Sequence, residues 1–202
     1  MAKDIRIPFE EAAGEPRLLQ PWLKELSKPQ LTALKIIYGC PLDAKDKDER
    51  GWTEMDYWSA SQGYGEVDDL GYLTKVRPFP YKPQEYHEAW GAWGIRGGKT
   101  DRFASTAVAY EAVCDGHEAH GRPGRPIVCF QIAQDIQLAK YSLHSIKTTL
   151  ESMAFLKTTS KDSWITNVTA DRIDLKNGVT ISVKPPTVKS VGGYDSPVAV
   201  LD

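Results

Sequence analysis

The chain has 202 residues, of which 41% are hydrophobic and 26% charged, and its formal net charge is −2. This length and composition suit a globular protein with one substantial core, and the small net charge excludes an overall basic field for nucleic acid. No run approaches the roughly 20 apolar residues that span a bilayer. Three cysteines without a secretion signal predict free thiols in a reducing compartment, with the cytoplasm as the default location.

The N-terminal third is predicted to be an arm followed by helices. Residues 1–17 are polar, and we expect a flexible arm there. Leucines at helical spacing predict one helix over 18–27 and a second over 27–39. The run 51–80 is rich in Gly, Trp and Tyr without a clear period, which predicts irregular structure. Residues 18–75 are therefore expected to form a mostly helical extension.

The most informative segment is a glycine-rich turn, Gly94-Ile95-Arg96-Gly97-Gly98-Lys99-Thr100. A predicted helix from Thr100 to Cys114 follows it, and this order is typical of sites that hold the phosphates of ATP. Backbone N–H groups of such a turn, and the positive end of the following helix, attract phosphate oxygens. Lys99 would contact the outer phosphates and Thr100 would hold Mg²⁺. The usual motif opens with Gly six residues before the Lys, where this chain has Trp93.

The C-terminal half alternates between predicted strands and helices. An apolar run from Pro126 to Ala133 indicates a strand buried on both faces, and a helix is predicted over 135–155. Asn177-Gly178, between two short strands, predicts a hairpin. A last apolar run over 197–202 ends at Asp202, where a carboxylate would complete the coordination of Mg²⁺.

These elements predict an α/β fold of the P-loop NTPase type. We expect a mainly parallel sheet flanked by helices over residues 76–202, preceded by the N-terminal helical extension. A strand is expected over 87–93, directly before the turn.

Several motifs in sequence order carry a family resemblance. They are Ser27-Lys28-Pro29-Gln30, Ile37-Tyr38-Gly39, Pro83-Gln84, the turn with its late first glycine, the hairpin over 174–182, and Gly192-Gly193-Tyr194-Asp195 before the last strand. With these motifs, residues 18–202 resemble the N-terminal ATPase portion of the large terminase subunit of tailed bacteriophages and prophages.

The resemblance implies a motor that uses ATP and Mg²⁺ to drive double-stranded DNA into a procapsid through a portal protein. It implies a homo-oligomeric ring, a small terminase subunit as partner, and a place in the host cytoplasm with transient docking on the procapsid, without a membrane. It also implies a catalytic Glu directly after Asp202 and a C-terminal nuclease domain. Neither is in the sequence, so we expect a fragment with weak hydrolysis or none.

The resemblance also assigns roles to individual residues. Lys99 and Arg96 match phosphate-contacting positions, and Arg96 matches one that senses the γ-phosphate. Thr100 and Asp202 match the Mg²⁺ ligands, which makes Arg96, Lys99 and Asp202 the expected catalytic set. Gln84 is expected to contact adenine, and the remaining lining of the turn is Gly94, Ile95, Gly97 and Gly98.

Two positions depart from the family pattern. Ile95 stands where the family often has a basic residue. Lys184 and Lys189 stand in the loop that often supplies an Arg to the neighbouring subunit, and lysine lacks the planar fork of arginine. The trans-acting role is therefore open.

Other interpretations of the residues stay open. The turn also suits a small-molecule kinase or a nucleotide-binding module without hydrolysis. Zinc is conceivable at Cys114, His117, His120 and Cys129, although four ligands in a folded order are not evident. The six tryptophans are expected in the core or at interfaces, with stacking on single-stranded nucleic acid as the rival interpretation.

Overall fold

The structure is a computed structural model, and it falls into two compact units, which are Met1–Glu25 with Trp93–Asp202, and Leu26–Ala92. It describes residues 6–70, 73–86, 88–89, 98–119, 121–122, 125–133, 135–156, 163–184 and 194–201. Within these ranges, no helix combines the length and the apolar content that crossing a bilayer requires.

The chain begins in the first unit, then forms the whole second unit, and then returns to the first unit. The helices are α1 (Phe9–Gly14), α2 (Gln20–Leu23), α3 (Lys28–Ile37), α4 (Glu54–Ser61), α5 (Ser105–Val113) and α6 (Ile136–Ser152). The strands are β1 (Gly65–Val67), β2 (Leu73–Val76), β3 (Ile127–Ile132), β4 (Ile165–Val168), β5 (Arg172–Leu175), β6 (Val179–Lys184) and β7 (Ala199–Leu201).

The first unit is built on a five-stranded sheet with the order β4-β5-β6-β3-β7. Strand β3 pairs in parallel with β6 along its whole length, from Ile127 opposite Val179 to Ile132 opposite Lys184. It also pairs in parallel with β7 on its other edge. Strand β5 is antiparallel to both β4 and β6. The predicted strand over 126–133, buried on both faces, is confirmed.

The predicted P-loop NTPase fold with a mainly parallel sheet is wrong. The sheet is mixed, and three of the five strand ladders in the described residues are antiparallel, including the separate pair of β1 and β2. The reason is local, because Gly178 has a φ of +86° in a tight turn that joins β5 directly to β6. Short connections of this kind make antiparallel pairs, whereas parallel neighbours need a long crossover.

Helices α5 and α6 pack against β3 and β6 and close the core of the first unit. The core row across the sheet joins Ile173, Ile181 and Cys129, and all three are fully buried. Helix α6 begins where it was predicted, because the side chain of Asp135 accepts hydrogen bonds from the N–H groups of the first turn. The predicted hairpin is confirmed, because β5 and β6 pair antiparallel across the turn that contains Asn177 and Gly178.

Phe9 and Ala12 belong to the core of the first unit, although residues 9–14 lie in the predicted flexible arm. They form α1, and the ring of Phe9 packs edge-on against Tyr110, with 5.1 Å between the ring centroids. The N–H of Ile7 donates to the carbonyl of Cys114 at 2.8 Å. The predicted helix over 18–27 is limited to the single turn α2.

The second unit contains α3, α4 and the β1–β2 hairpin. Helix α3 confirms the prediction, with a capping box formed by Ser27 and Gln30. Residues 51–80 are more regular than predicted, since Thr53 and Asp56 form a second capping box that starts α4. The ring of Trp58 packs against Tyr81 with 5.2 Å between centroids, which joins α4 to the extended segment after β2.

The second unit also contains an ion pair with one buried partner. Glu54 is 4% exposed, and its carboxylate accepts from Lys35 Nζ at 2.7 and 2.8 Å and from the N–H of Asp43 at 2.7 Å. A buried carboxylate that loses its cation keeps its desolvation cost without compensation. Lys28 offers a contrast, because it pairs with Asp46, whose side chain is 74% exposed.

We predict that Lys35→Met lowers the free energy of unfolding by about 2 kcal/mol, because Glu54 stays buried without its partner. Lys28→Met is the control and should cost less than about 1 kcal/mol, since Asp46 stays hydrated. Urea denaturation of both variants measures the difference. Equal losses in the two variants would contradict the structural role given to Glu54.

Candidate functional site

The described part of the glycine-rich turn begins at Gly98, which has φ +66° and ψ +27°. This left-handed conformation favours glycine, because a side chain would clash with the backbone there. The carbonyl of Gly98 accepts from the N–H groups of Arg102 and Phe103, both at 3.1 Å. The chain therefore turns sharply into a helix at Lys99, as the motif requires.

The helix starts as a π-helix over Lys99–Ala104 and continues as α5. The predicted helix over 100–114 is confirmed in position. A π-helical turn widens the helix locally, is rare, and is frequent at functional sites. Lys99 is exposed and Thr100 is 8% exposed, so the charge reaches solvent while the hydroxyl-bearing residue faces the protein.

Most of the other predicted site residues lie outside the described residues. These are Gly94, Ile95, Arg96, Gly97, Lys189 and Asp202, together with residues 87 and 90–93 of the strand predicted over 87–93. Gln84 is exposed in the second unit, and its adenine contact stays a prediction. The sharing of one metal–nucleotide complex by Lys99 and Asp202 also stays a prediction.

Lys184 is engaged in an ion pair within its own chain. Its ammonium lies 2.7 Å from the Asp171 carboxylate, and this hydrogen bond lowers the pKa of Asp171. A lysine held in this way is less suited to reach the nucleotide of a neighbouring subunit.

An arginine that sequence reasoning missed lies one turn after the glycine turn. The guanidinium of Arg102 stacks over the ring of Trp22 at 4.9 Å from its centroid and lies 3.7 Å from the Glu25 carboxylate. Trp22 Nε1 donates to Thr106 Oγ1 at 2.8 Å, which fixes the ring. The spacing of Arg102 and Thr106 places both residues on one face of the helix, which the sequence could have indicated. Their common partner, Trp22 of α2, lies about 80 residues earlier in the chain, and the sequence gives no signal for that contact.

Gln131 is a buried polar side chain near the carboxyl end of β3. It is fully buried, and neither of its amide atoms has a hydrogen-bond partner among the described residues. Its register partner on β7 is Val200, two residues before Asp202. Unsatisfied buried amides are rare in native proteins and call for a physical explanation.

Of the zinc ligands considered from the sequence, His120 lies outside the described residues, and that site stays a prediction. All three cysteines are free and buried, which confirms the prediction of free thiols. Burial raises the pKa of the Cys114 thiol to about 12 and also raises the pKa of Cys129. His117 lies instead beside the carboxylates of Glu111 and Asp115. The spacing Glu-x₃-Asp-x-His at the end of a predicted helix could have indicated that these three side chains lie together, but the sequence analysis did not single them out.

Comparison of the chain with protein-family models, with curated protein sequences and with solved structures returned no match. The resemblance to terminases therefore rests on the sequence motifs alone.

We predict that Gln131→Met raises the free energy of unfolding by about 1 kcal/mol, because it removes a buried amide that has no hydrogen-bond partner among the described residues. Methionine has a similar size and shape, so the packing of neighbouring side chains around position 131 is preserved. Gln137→Met, at an exposed position of α6, is the matched control and should leave stability unchanged. Urea denaturation measures both, and a clear loss in Gln131→Met would show that the amide is stabilising.

Proposed function

We propose that this chain is the ATP-binding motor portion of a DNA-packaging terminase. The complete protein would couple ATP hydrolysis to the translocation of double-stranded DNA into a procapsid. The observation that carries the proposal is the left-handed Gly98 immediately before a helix that begins at Lys99. This is the backbone geometry through which a Gly-Lys-Thr turn presents N–H groups to phosphate.

The first unit offers chemistry that fits a magnesium–nucleotide ligand. The positive end of the helix at Lys99 favours phosphate charge, and the exposed ammonium of Lys99 adds to that attraction. In this proposal Arg96 binds the γ-phosphate, and the oxygens of Thr100 and Asp202 hold Mg²⁺. The bound Mg²⁺ would neutralise negative charge on the β- and γ-phosphates.

A second observation supports a polar ligand at the carboxyl ends of the parallel strands. Strands β3 and β7 run in parallel, so their carboxyl ends lie at the same edge of the sheet. Gln131 is near the end of β3, and Asp202 follows directly after the last residue of β7. The amide of Gln131, which has no hydrogen-bond partner among the described residues, suits a bound water or ligand oxygen near that edge.

The partners follow from the same proposal. They are duplex DNA, a small terminase subunit, a portal protein and further copies of the chain in a ring, in the host cytoplasm and at the procapsid. The alternatives are a small-molecule kinase and a nucleotide-binding module without hydrolysis. A kinase would transfer the γ-phosphate to an acceptor, and a module would bind ATP without any response to DNA.

We predict that Mg²⁺ with ATP raises the melting temperature of the chain and that Lys99→Ala abolishes this rise. Ligand at about 100 times its Kd stabilises by about 2.7 kcal/mol. For a chain of this size that corresponds to roughly 5–10 °C. Lys140→Ala, at an exposed position of α6, is the control and should keep the full rise. Differential scanning fluorimetry measures all three proteins.

The outcome that contradicts the nucleotide site is an equal rise in Lys99→Ala and the unchanged chain. The motor is distinguished from its alternatives by adding duplex DNA. Binding of labelled duplex DNA that strengthens with Mg²⁺ and ATP supports the motor. Transfer of labelled γ-phosphate to a small acceptor supports a kinase, and nucleotide binding without either effect supports a module.

A further inference from the structure

Three metal-ligating side chains converge at the C-terminal end of α5. Glu111 lies in the last turns of the helix, Asp115 follows four residues later, and Gly116 turns the chain with φ +73°. The turn brings His117 back over the helix, where its Nε2 lies 2.6 Å from Glu111 Oε2 and 3.1 Å from Asp115 Oδ2. One ligand atom from each of the three residues lies within 4.8 Å of the other two.

The two oxygens of Asp115 have different partners. Oδ1 accepts from Arg6 Nε at 2.6 Å. The hydroxyl of Tyr110 lies 3.3 Å from the same oxygen, but its shorter contact is with the carbonyl of Ile7 at 3.0 Å. Oδ2 is the oxygen that faces His117. Arg6 therefore orients the carboxylate through the oxygen that is not directed at His117. Outer groups that hold ligands in this way are typical of metal sites in proteins.

The charges around the cluster are mainly negative, although the Arg6 guanidinium already pairs with Asp115. Glu111, Asp115 and Glu118 all act on His117 through their negative charge. The C-terminal end of a helix carries partial negative charge, which adds to that attraction. The side chains of Glu111, Asp115 and His117 are 13%, 13% and 20% exposed, so the charges are only partly screened by water.

A cavity of about 320 Å³ borders the cluster at His117, and its lining also includes Arg122 and Asp195. A polar cavity of this size has room for water, so a water molecule is available on the His117 side as an additional ligand.

We propose that Glu111, Asp115 and His117 bind a divalent transition metal ion of the Zn²⁺ class. One imidazole nitrogen and two carboxylate oxygens are ligands that Zn²⁺ accepts, at bond lengths of about 2.0–2.2 Å. Mg²⁺ is disfavoured, because it selects oxygen ligands and keeps most of its water. On binding, the metal ion takes the place of the proton between His117 Nε2 and Glu111, and any displaced proton passes to solvent.

The test is calorimetric titration of Zn²⁺ into the chelator-treated full chain. We expect one site, and we expect His117→Asn to weaken its affinity by at least about 100-fold, since losing a direct ligand exceeds the loss of an outer group. Glu111→Gln keeps the shape and a hydrogen-bonding group but removes the charge, and it should also weaken binding strongly. His144→Asn, at an exposed imidazole of α6, is the matched control and should bind Zn²⁺ as the unchanged chain does.

Circular dichroism and the melting temperature without metal establish that each variant is folded. Glu111→Gln is the variant that answers the question if His117→Asn fails to fold. Lys99→Ala should titrate with Zn²⁺ normally, and Glu111→Gln should keep the response to Mg²⁺ with ATP, so the metal site and the nucleotide site fail independently. Absence of Zn²⁺ binding in the unchanged chain, or equal binding in folded Glu111→Gln, would overturn the proposal.

Discussion

Strand β3 is hydrogen-bonded to a parallel neighbour along each edge, and the rest of the first unit is positioned by this strand. Its two partners, β6 and β7, come from the C-terminal quarter of the chain, whereas α5 precedes it and α6 follows it. Both faces of β3 are buried, so the strand tolerates little polar substitution. Gln131 is a polar exception on this strand, and neither of its amide atoms has a hydrogen-bond partner among the described residues.

The two proposed sites lie at opposite ends of one helical segment. Its N-terminal end at Lys99 carries partial positive charge and suits phosphate, whereas its C-terminal end near Asp115 carries partial negative charge and suits a metal ion. The segment from Lys99 to Val113 is long enough to separate the two ends by roughly 20 Å. The same helix dipole therefore supports an anion site and a cation site without direct competition between them.

Elements were predicted correctly where short-range sequence signals agree with one another. The prediction failed where such a signal was overlooked or where long-range contacts outweighed it. The apolar run of β3, the Asn177-Gly178 turn and the helical pattern over 135–155 each predicted an element that the structure has. The Thr53–Asp56 capping box was a readable signal for α4, but the surrounding glycines and aromatics concealed it. Strand β4 has a short and largely exposed pattern, which hydrophobic periodicity alone does not separate from a loop.

The sheet was mispredicted because a parallel arrangement was inferred from the order of elements and from the family resemblance. The local turn chemistry around Gly178 already favoured an antiparallel pair, and that preference decided the topology of β5 and β6. Likewise the motif at Lys99 was visible in the sequence, but the ring of Trp22 over Arg102 was not.

By itself the sequence determined the positions of the buried strand β3, of helices α3 and α6 and of the helix that follows Gly98, because each depends on residues within a few positions of one another. Only the tertiary structure decided the parallel pairing of β3 with β6 and β7 and the complete burial of Gln131. It also decided that Arg6, from the far N-terminus, contacts Asp115 beside His117. These features depend on strand order and on contacts between distant segments, and neither hydrophobic periodicity nor local turn preference specifies which distant segments meet.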